Sequence, residues 1–272
     1  MSATKPSDPT PQESARARRP GLSQFIRWTL LKLYLSWTGL RNRVAKLLGG
    51  HAYYAEFGGD KVVREHFFPD LSHPGTLIEV GCATPKLISF SQHFRETGWR
   101  CIGVEPNPQF VQMHVAEGNE VYPYAAADFE QEDVPFTVVE DSGAYTDQTL
   151  SAHSFSALSI REDFARYRGG MVHSLNHREI RVSVRRLDTI LEQAAPPVDT
   201  VDVVSIDVEG YELDVMRGFS PHRYRVRVII LENLFHKDEY TEYMRSIDYK
   251  LWKKLGYNYF YIPDPARPVE PA

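Results

Sequence analysis

Residues 76–105 read TLIEVGCATPKLISFSQHFRETGWRCIGVE. Two short apolar runs, TLIEVGCA and WRCIGVE, are too brief for helices and predict buried strands. The segment between them, PKLISFSQHFRETG, opens on Pro85, a favoured first-turn residue, and predicts a helix. Strand, helix and strand in that order make a parallel βαβ unit. The pattern continues outward. PNPQFVQMHVAEG predicts a helix and EVYPYAAA a third strand, which completes a βαβαβ half of a doubly wound sheet.

The second half repeats the logic. Residues 200–219, TVDVVSIDVEGYELDVMRGF, hold a buried strand ending at Ile206 and then a helix to Arg217. RVRVIILEN predicts a further strand, Asp238 to Leu255 a helix, and GYNYFYIP a last strand. The insertion 129–185 lies between the halves. Two strands, PFTVVED and EIRVSVRR, flank a Ser, Thr, His and aromatic loop over 141–160, whose composition suits a lid over a hydroxylated ligand. The fold class is therefore α/β, a Rossmann-like doubly wound sheet with a small inserted β/loop segment.

Upstream, residues 1–20 are polar and Pro-rich and are expected to be a disordered basic arm. Residues 21–50 repeat apolar positions at helical spacing, with Gly49-Gly50 as a stop, and predict an amphipathic helix. Residues 51–75 form a connector, 76–263 the main domain, and 264–272 a disordered tail. Residues 1–50 carry net charge +7, and the remainder −12. The formal net charge of −5 argues against general nucleic-acid binding, and a basic arm on an acidic body admits an anionic surface as partner. The helix is too short and too charged to span a bilayer. It is expected to dock on the domain, on a second copy of the chain as a homo-oligomer, or peripherally on a membrane. Cys82 and Cys101 show no metal-ligand spacing and predict reduced core thiols; with no secretory leader in evidence, the expected location is cytoplasmic.

Sheets of this kind bind ligands beyond the carboxyl ends of their strands. After the first strand stand Glu79, Gly81 and Cys82; after the second stand Glu105 and Pro106. Gly81 permits close approach of a ligand to the backbone, Glu79 can accept from an amine, and Glu105 can accept from a ribose diol. A dinucleotide would need a G-x-G-x-x-G turn for its pyrophosphate, and there is one Gly here, followed by Pro85. This disfavours the alternative of an NAD-dependent oxidoreductase. A single-Gly turn between two acids suits S-adenosyl-L-methionine, which has no phosphate and carries a cationic sulfonium.

The stretches GVEPNPQF, RRLDTIL, VDVVSIDVEGYELDVMRG and VIILEN together resemble the FkbM family of S-adenosylmethionine-dependent O-methyltransferases, over roughly Thr76 to Pro263. The resemblance implies the class I methyltransferase fold and a sugar, glycolipid or secondary-metabolite hydroxyl as acceptor. It implies Glu79, Gly81 and the adjoining Cys82 at the methionine end of the cofactor, Glu105 with Pro106 at the ribose, and Asp128 near the adenine. The first turn, EVGCATP, departs from the family pattern: Ala83 and Pro85 stand where an Asn and a Gly are usual, and Ser205 stands where a Lys often does. That departure keeps open a catalytically inactive, membrane-associated binding module.

Three readings of Asp207 stand at this point. It can hold Mg²⁺ or another divalent cation with Glu232 and Asn233, all oxygen ligands. It can position substrate while a histidine, His236 or His153, acts as base. Or, with Glu209 and Glu212, it can simply cap the following helix, with Glu212 expected to be mostly a first-turn acid.

Overall fold

The computed structural model describes residues 37, 39–140 and 176–265. The expected arm over 1–20, residues 21–36 and 38 of the expected 21–50 helix, the 141–160 loop with His153, and residues 266–272 of the tail lie outside them.

A seven-stranded sheet runs β3–β2–β1–β7–β8–β10–β9. Its strands are β1 (Thr76–Val80), β2 (Arg100–Val104), β3 (Glu120–Tyr122), β7 (Val203–Ile206), β8 (Val228–Glu232), β9 (Tyr249–Leu255) and β10 (Asn258–Pro263). The first five are mutually parallel. β10 is antiparallel to both β8 and β9. The strand order reverses between β1 and β7, which is the switch point where such sheets leave a crevice.

Alternation along each strand divides the core. Ile78, Ile102, Val204 and Ile229 point to one face, where they meet α4 (Leu187–Glu192), α5 (Glu212–Arg217) and α6 (Asp238–Ser246). Leu77, Cys101, Val203 and Val228 point to the other, against α1 (Gly59–Phe67) and α2 (Gln92–Glu96). Both faces are covered, so the central strands are buried at nearly every position, which is why they read as unbroken apolar runs. α3 (Pro108–Ala116) links β2 to β3 and is capped by Asn107, whose Oδ1 accepts from the Gln109 N–H at 3.1 Å.

Three expectations change. The third strand breaks at Pro123 into β3 and β4 (Tyr124–Ala126), and β4 leaves the main sheet to pair with β6 (Asn176–Arg185). Together with β5 (Gln131–Glu140) these make a separate three-stranded sheet with its own small core around Phe136, Val138 and Val184. Second, the helix expected from Pro85 shortens to Gln92–Glu96. The carboxylate of Glu79 captures the N–H groups of Phe90 and Ser91, which a longer helix would have used internally, and Ile88 takes a left-handed φ of 58°. Third, the helix expected over 238–255 ends at Ser246. Asp248 turns the chain at φ 60°, and Tyr249–Leu255 becomes edge strand β9, closed on β10 through Gly256.

Among the described residues, buried Arg64 has no carboxylate in hydrogen-bond or ion-pair contact. It donates to His93 Nε2 at 3.1 Å, to the Phe68 carbonyl at 3.3 Å and to Thr97 Oγ1 at 2.5 Å, and lies over the rings of Phe94 and Trp99. Burial pulls the His93 pKa down to about 4, so the ring stays neutral and can accept from Arg64.

Candidate functional site

The carboxyl ends of β1, β2 and β7 are in register, with Val80 opposite both Val104 and Ile206. The next residue of each strand therefore reaches the same edge: Gly81, Glu105 and Asp207. Gly81 adopts φ 77°, and a Cβ on it would lie 1.8 Å from the Asp207 carbonyl oxygen. Only glycine fits between the diverging ends of β1 and β7.

Glu105 is buried. Its Oε2 accepts from the Ala83 N–H at 3.0 Å, and its Oε1 from the Asn107 N–H at 2.8 Å. Burial raises its pKa to about 7, with those two donors pulling the other way. Each carboxylate oxygen keeps a lone pair for a further donor. Pro106, half-buried, holds the turn between Glu105 and the α3 cap.

Glu79 is placed differently from the expectation of an amine acceptor. Its oxygens take the N–H groups of Phe90 at 2.7 Å and Ser91 at 3.2 Å, together with the hydroxyls of Ser89 and Ser91. Arg95 ties the same loop, donating to the Pro85 carbonyl at 2.6 Å. Glu79 thus organises the 85–91 loop behind the edge. Burial raises its pKa, opposed by Ser91 and the Arg95 charge. The Cys82 thiol is buried against Gly103, where an added Cβ would meet its Sγ at 2.8 Å, and burial keeps it protonated. Asp128 is exposed on the turn after β4, with its carbonyl accepting from Arg186 at 3.0 Å.

A second group of acids gathers where β7 and β8 end. Asp207, Glu212 and Glu232 each bring one carboxylate oxygen within 4.8 Å of the others. Glu212 is the member that sequence reasoning placed only as a first-turn acid. It is buried. Its Oε1 accepts from the N–H groups of Val208 at 3.1 Å and Gly210 at 2.9 Å, and its Oε2 from the Tyr240 hydroxyl at 2.6 Å. It clamps the turn in which Glu209 is held at φ 58° and Gly210 at φ 99°. A left-handed glutamate is uncommon and costs of order 1 kcal/mol or more.

Glu232 is buried, and among the described residues its Oε2 meets no N–H or O–H donor. The Asp207 carboxyl lies against it. Two carboxyls bond only if one keeps its proton. Burial first, then the charges of Asp207, Glu209 and Glu212, raise the Glu232 pKa well above the usual range. Glu232 is therefore the member of the pair whose surroundings favour the neutral form, and Asp207 is the exposed one.

Asn233 does not join this group. Its amide donates to the Lys237 carbonyl at 2.8 Å and its Oδ1 accepts from the Lys237 N–H at 2.9 Å, closing the turn after β8. His236 stands on that turn, exposed, with Nδ1 2.9 Å from the Tyr259 hydroxyl and its ring against Tyr257.

The sheet order, the glycine-opened switch point and the buried acid after β2 define an α/β protein with a doubly wound sheet and a crevice at its β1/β7 switch point. Residues 79–259 match the family model described as the methyltransferase FkbM domain. The chain belongs to the FkbM methyltransferase family. No curated protein matches it.

Proposed function

We propose that this protein is an S-adenosylmethionine-dependent O-methyltransferase whose acceptor is a hydroxyl of a sugar, glycolipid or secondary metabolite. What supports the reading is the single edge at which Gly81, Glu105 and Asp207 meet in register. Glu105 accepts from the ribose hydroxyls with the lone pairs that Ala83 and Asn107 leave free. Gly81 lets the cofactor lie against the backbone, and Cys82 contributes its backbone alone, since its thiol packs on β2. Asp128 borders the adenine from its exposed turn. S-adenosylmethionine, when bound, supplies an electrophilic methyl on a sulfonium, which nearby carboxylates favour and a pyrophosphate would not.

The chain's own task is to align the acceptor and take its proton. Alignment of the two reactants can supply about 7–11 kcal/mol. As the new C–O bond forms, the hydroxyl proton becomes strongly acidic, so the Asp207 carboxylate can receive it late in the transfer. Glu232, already neutral, donates to Asp207 and keeps the second carboxyl from repelling the first. A positioned base of this kind contributes typically about 10²–10⁴-fold. The clamp of Glu212 and Tyr240 fixes the turn that aims Asp207. His236 is the competing base: a loss of turnover in His236→Ala matching that in Asp207→Asn would move the role to it.

A divalent cation is a second reading, favoured by the three carboxylate oxygens within 4.8 Å of one another. Asp207 and Glu232 would be its ligands, with the cation replacing the shared proton; Glu212 is already engaged by its three donors, and Asn233 by Lys237. Activity that survives a chelator removes this reading and leaves the proton-sharing one.

Thermal shift tests the whole. S-adenosylhomocysteine should raise the melting temperature and NAD should not; stabilisation by NAD alone would overturn the assignment. Methyl transfer is then sought by incubating labelled S-adenosylmethionine with glycan and lipid extracts.

A further inference from the structure

Residues 39–47 are helical, and the Leu48 N–H still bonds back to the Val44 carbonyl at 3.1 Å. This helix docks on the domain by its polar side. Buried Asn42 exchanges two hydrogen bonds with the backbone of Tyr53, at 2.7 and 3.3 Å. Lys46 bonds to Glu96 at 2.7 Å, and the same carboxylate accepts from the Tyr54 hydroxyl at 2.7 Å.

The apolar side is left facing out. Trp37, Leu40, Val44, Leu47 and Leu48 are all exposed, Leu47 by 85% and Leu48 by 82%. At a helical turn of about 100° per residue they fall within an arc of about 100°. Arg41 and Arg43 flank that arc on its two sides, both exposed. Arg41 spends one donor on the Tyr53 carbonyl at 3.4 Å, which leaves the rest of its guanidinium for solvent. An amphipathic helix normally turns its apolar stripe to the core; here the orientation is reversed.

We propose that this helix lies on an anionic lipid surface, with its apolar arc inserted among the acyl chains and its two arginines at the headgroups. Charge decides the occupant. Residues 1–50 carry +7 while the rest of the chain carries −12. An anionic bilayer therefore attracts this end of the molecule and repels the remainder, which orients the protein as the docked helix requires. Basic residues bordering an apolar arc are the features of an interfacial helix. Among the described residues no helix is long and apolar enough to cross a membrane. The inference stands apart from the methyl-transfer reading.

The test is co-sedimentation of the full chain with phosphatidylcholine vesicles, with and without phosphatidylglycerol. The wild type should bind the anionic vesicles, and more weakly as salt is added. Leu47→Asp should lower partitioning about tenfold or more, because a buried leucine is replaced by a charge that the lipid repels. Arg43→Glu should weaken binding to anionic vesicles and leave neutral ones unaffected. Both positions are exposed, so both variants should melt with the wild type. Three results would overturn the proposal: no binding of the wild type to anionic vesicles; Leu47→Asp binding like the wild type; or a Leu47→Asp variant that either melts early, meaning the chain itself covers this face, or converts a dimer to monomer in size-exclusion chromatography.

Discussion

Replacing Glu105 by Gln isolates the buried carboxyl at the proposed ribose site. Burial moves it from the ordinary 4.5 of a glutamate to about 7. An acid with a raised folded pKa holds its proton more tightly when folded than when unfolded. Its contribution to stability is therefore complete below 4.5 and is lost as pH rises through about 7. At about 1.36 kcal/mol per pH unit the whole effect is about 3 kcal/mol, of which about 2.5 falls between pH 5 and pH 8. Glutamine cannot ionise. It pays a pH-independent cost instead, because its NH₂ faces one of the two N–H donors, from Ala83 or Asn107, at about 1–3 kcal/mol. The variant should thus melt below the wild type at pH 5 and gain on it steadily. Across pH 5 to 8 the difference in melting temperature should move in the variant's favour by about 5–10 °C for a chain of this size. Ribose hydroxyls donate only usefully to the ionised acid, so S-adenosylhomocysteine should protect the wild type more at pH 8 than at pH 6, and bind the variant about 10–100-fold more weakly. Parallel melting curves for the two proteins across this range would refute the argument that Glu105 ionises in a buried, ligand-ready state.

Gly81→Ala places a Cβ 1.8 Å from the Asp207 carbonyl at a φ of 77° and should cost more than about 3 kcal/mol, read as insolubility or a large fall in melting temperature. Tyr240→Phe removes the 2.6 Å donor to Glu212 and should cost about 1–3 kcal/mol; turnover should fall while S-adenosylhomocysteine affinity holds, and equal losses of both would argue against a local effect on the 208–210 turn. Asp207→Asn, at an exposed position, should melt within about 1 kcal/mol of the wild type yet lose about 10²-fold or more in turnover. Glu232→Gln supplies a permanent N–H donor to Asp207, so its stability relative to the wild type should rise with pH as the wild-type acid, whose folded pKa is raised, loses its proton. Unaltered turnover would show that Glu232 serves only as a neutral donor; lost turnover would show that its proton, or a cation in its place, takes part.

The parallel frame was legible because its strands are covered on both sides. Val203–Ile206 and Val228–Glu232 are buried at every position, and burial on both faces writes itself as a continuous apolar run. Positions at strand ends were legible for the same reason: the register that aligns Val80 with Val104 and Ile206 follows from parallel pairing. What escaped the sequence depends on partners distant in the chain. PKLISFSQHFRETG has helical spacing, but the Glu79 carboxylate takes the N–H groups at its centre. YKLWKKL reads equally as the end of an amphipathic helix or as an edge strand, and pairing with β10 decides it. Pro123 was the one local sign that the third strand must break, since proline gives no donor to the ladder. Glu212 was placed correctly at the start of its helix. Its partner Tyr240 lies 28 positions on, which no local rule reveals.

The acids at this edge are resolved by two different physical means. Glu79, Glu105 and Glu212 are buried among backbone N–H groups, so each can carry charge at a cost its donors reduce. These three organise backbone: the 85–91 loop, the turn into α3, and the turn after β7. Glu232 Oε2 meets no such donor among the described residues, and burial, followed by the charges of Asp207, Glu209 and Glu212, favours the neutral acid. The Asp207 carboxyl lies against it, and Asp207 reaches solvent. A buried carboxyl against an exposed one is an arrangement in which proton number can change without moving the backbone, because the clamp of Glu212 and Tyr240 holds the turn independently of the pair. That separation of scaffold acids from the pair is why Asp207, with Glu232 as its neutral neighbour, rather than the better hydrogen-bonded carboxylates beside it, is the group proposed to take the acceptor's proton.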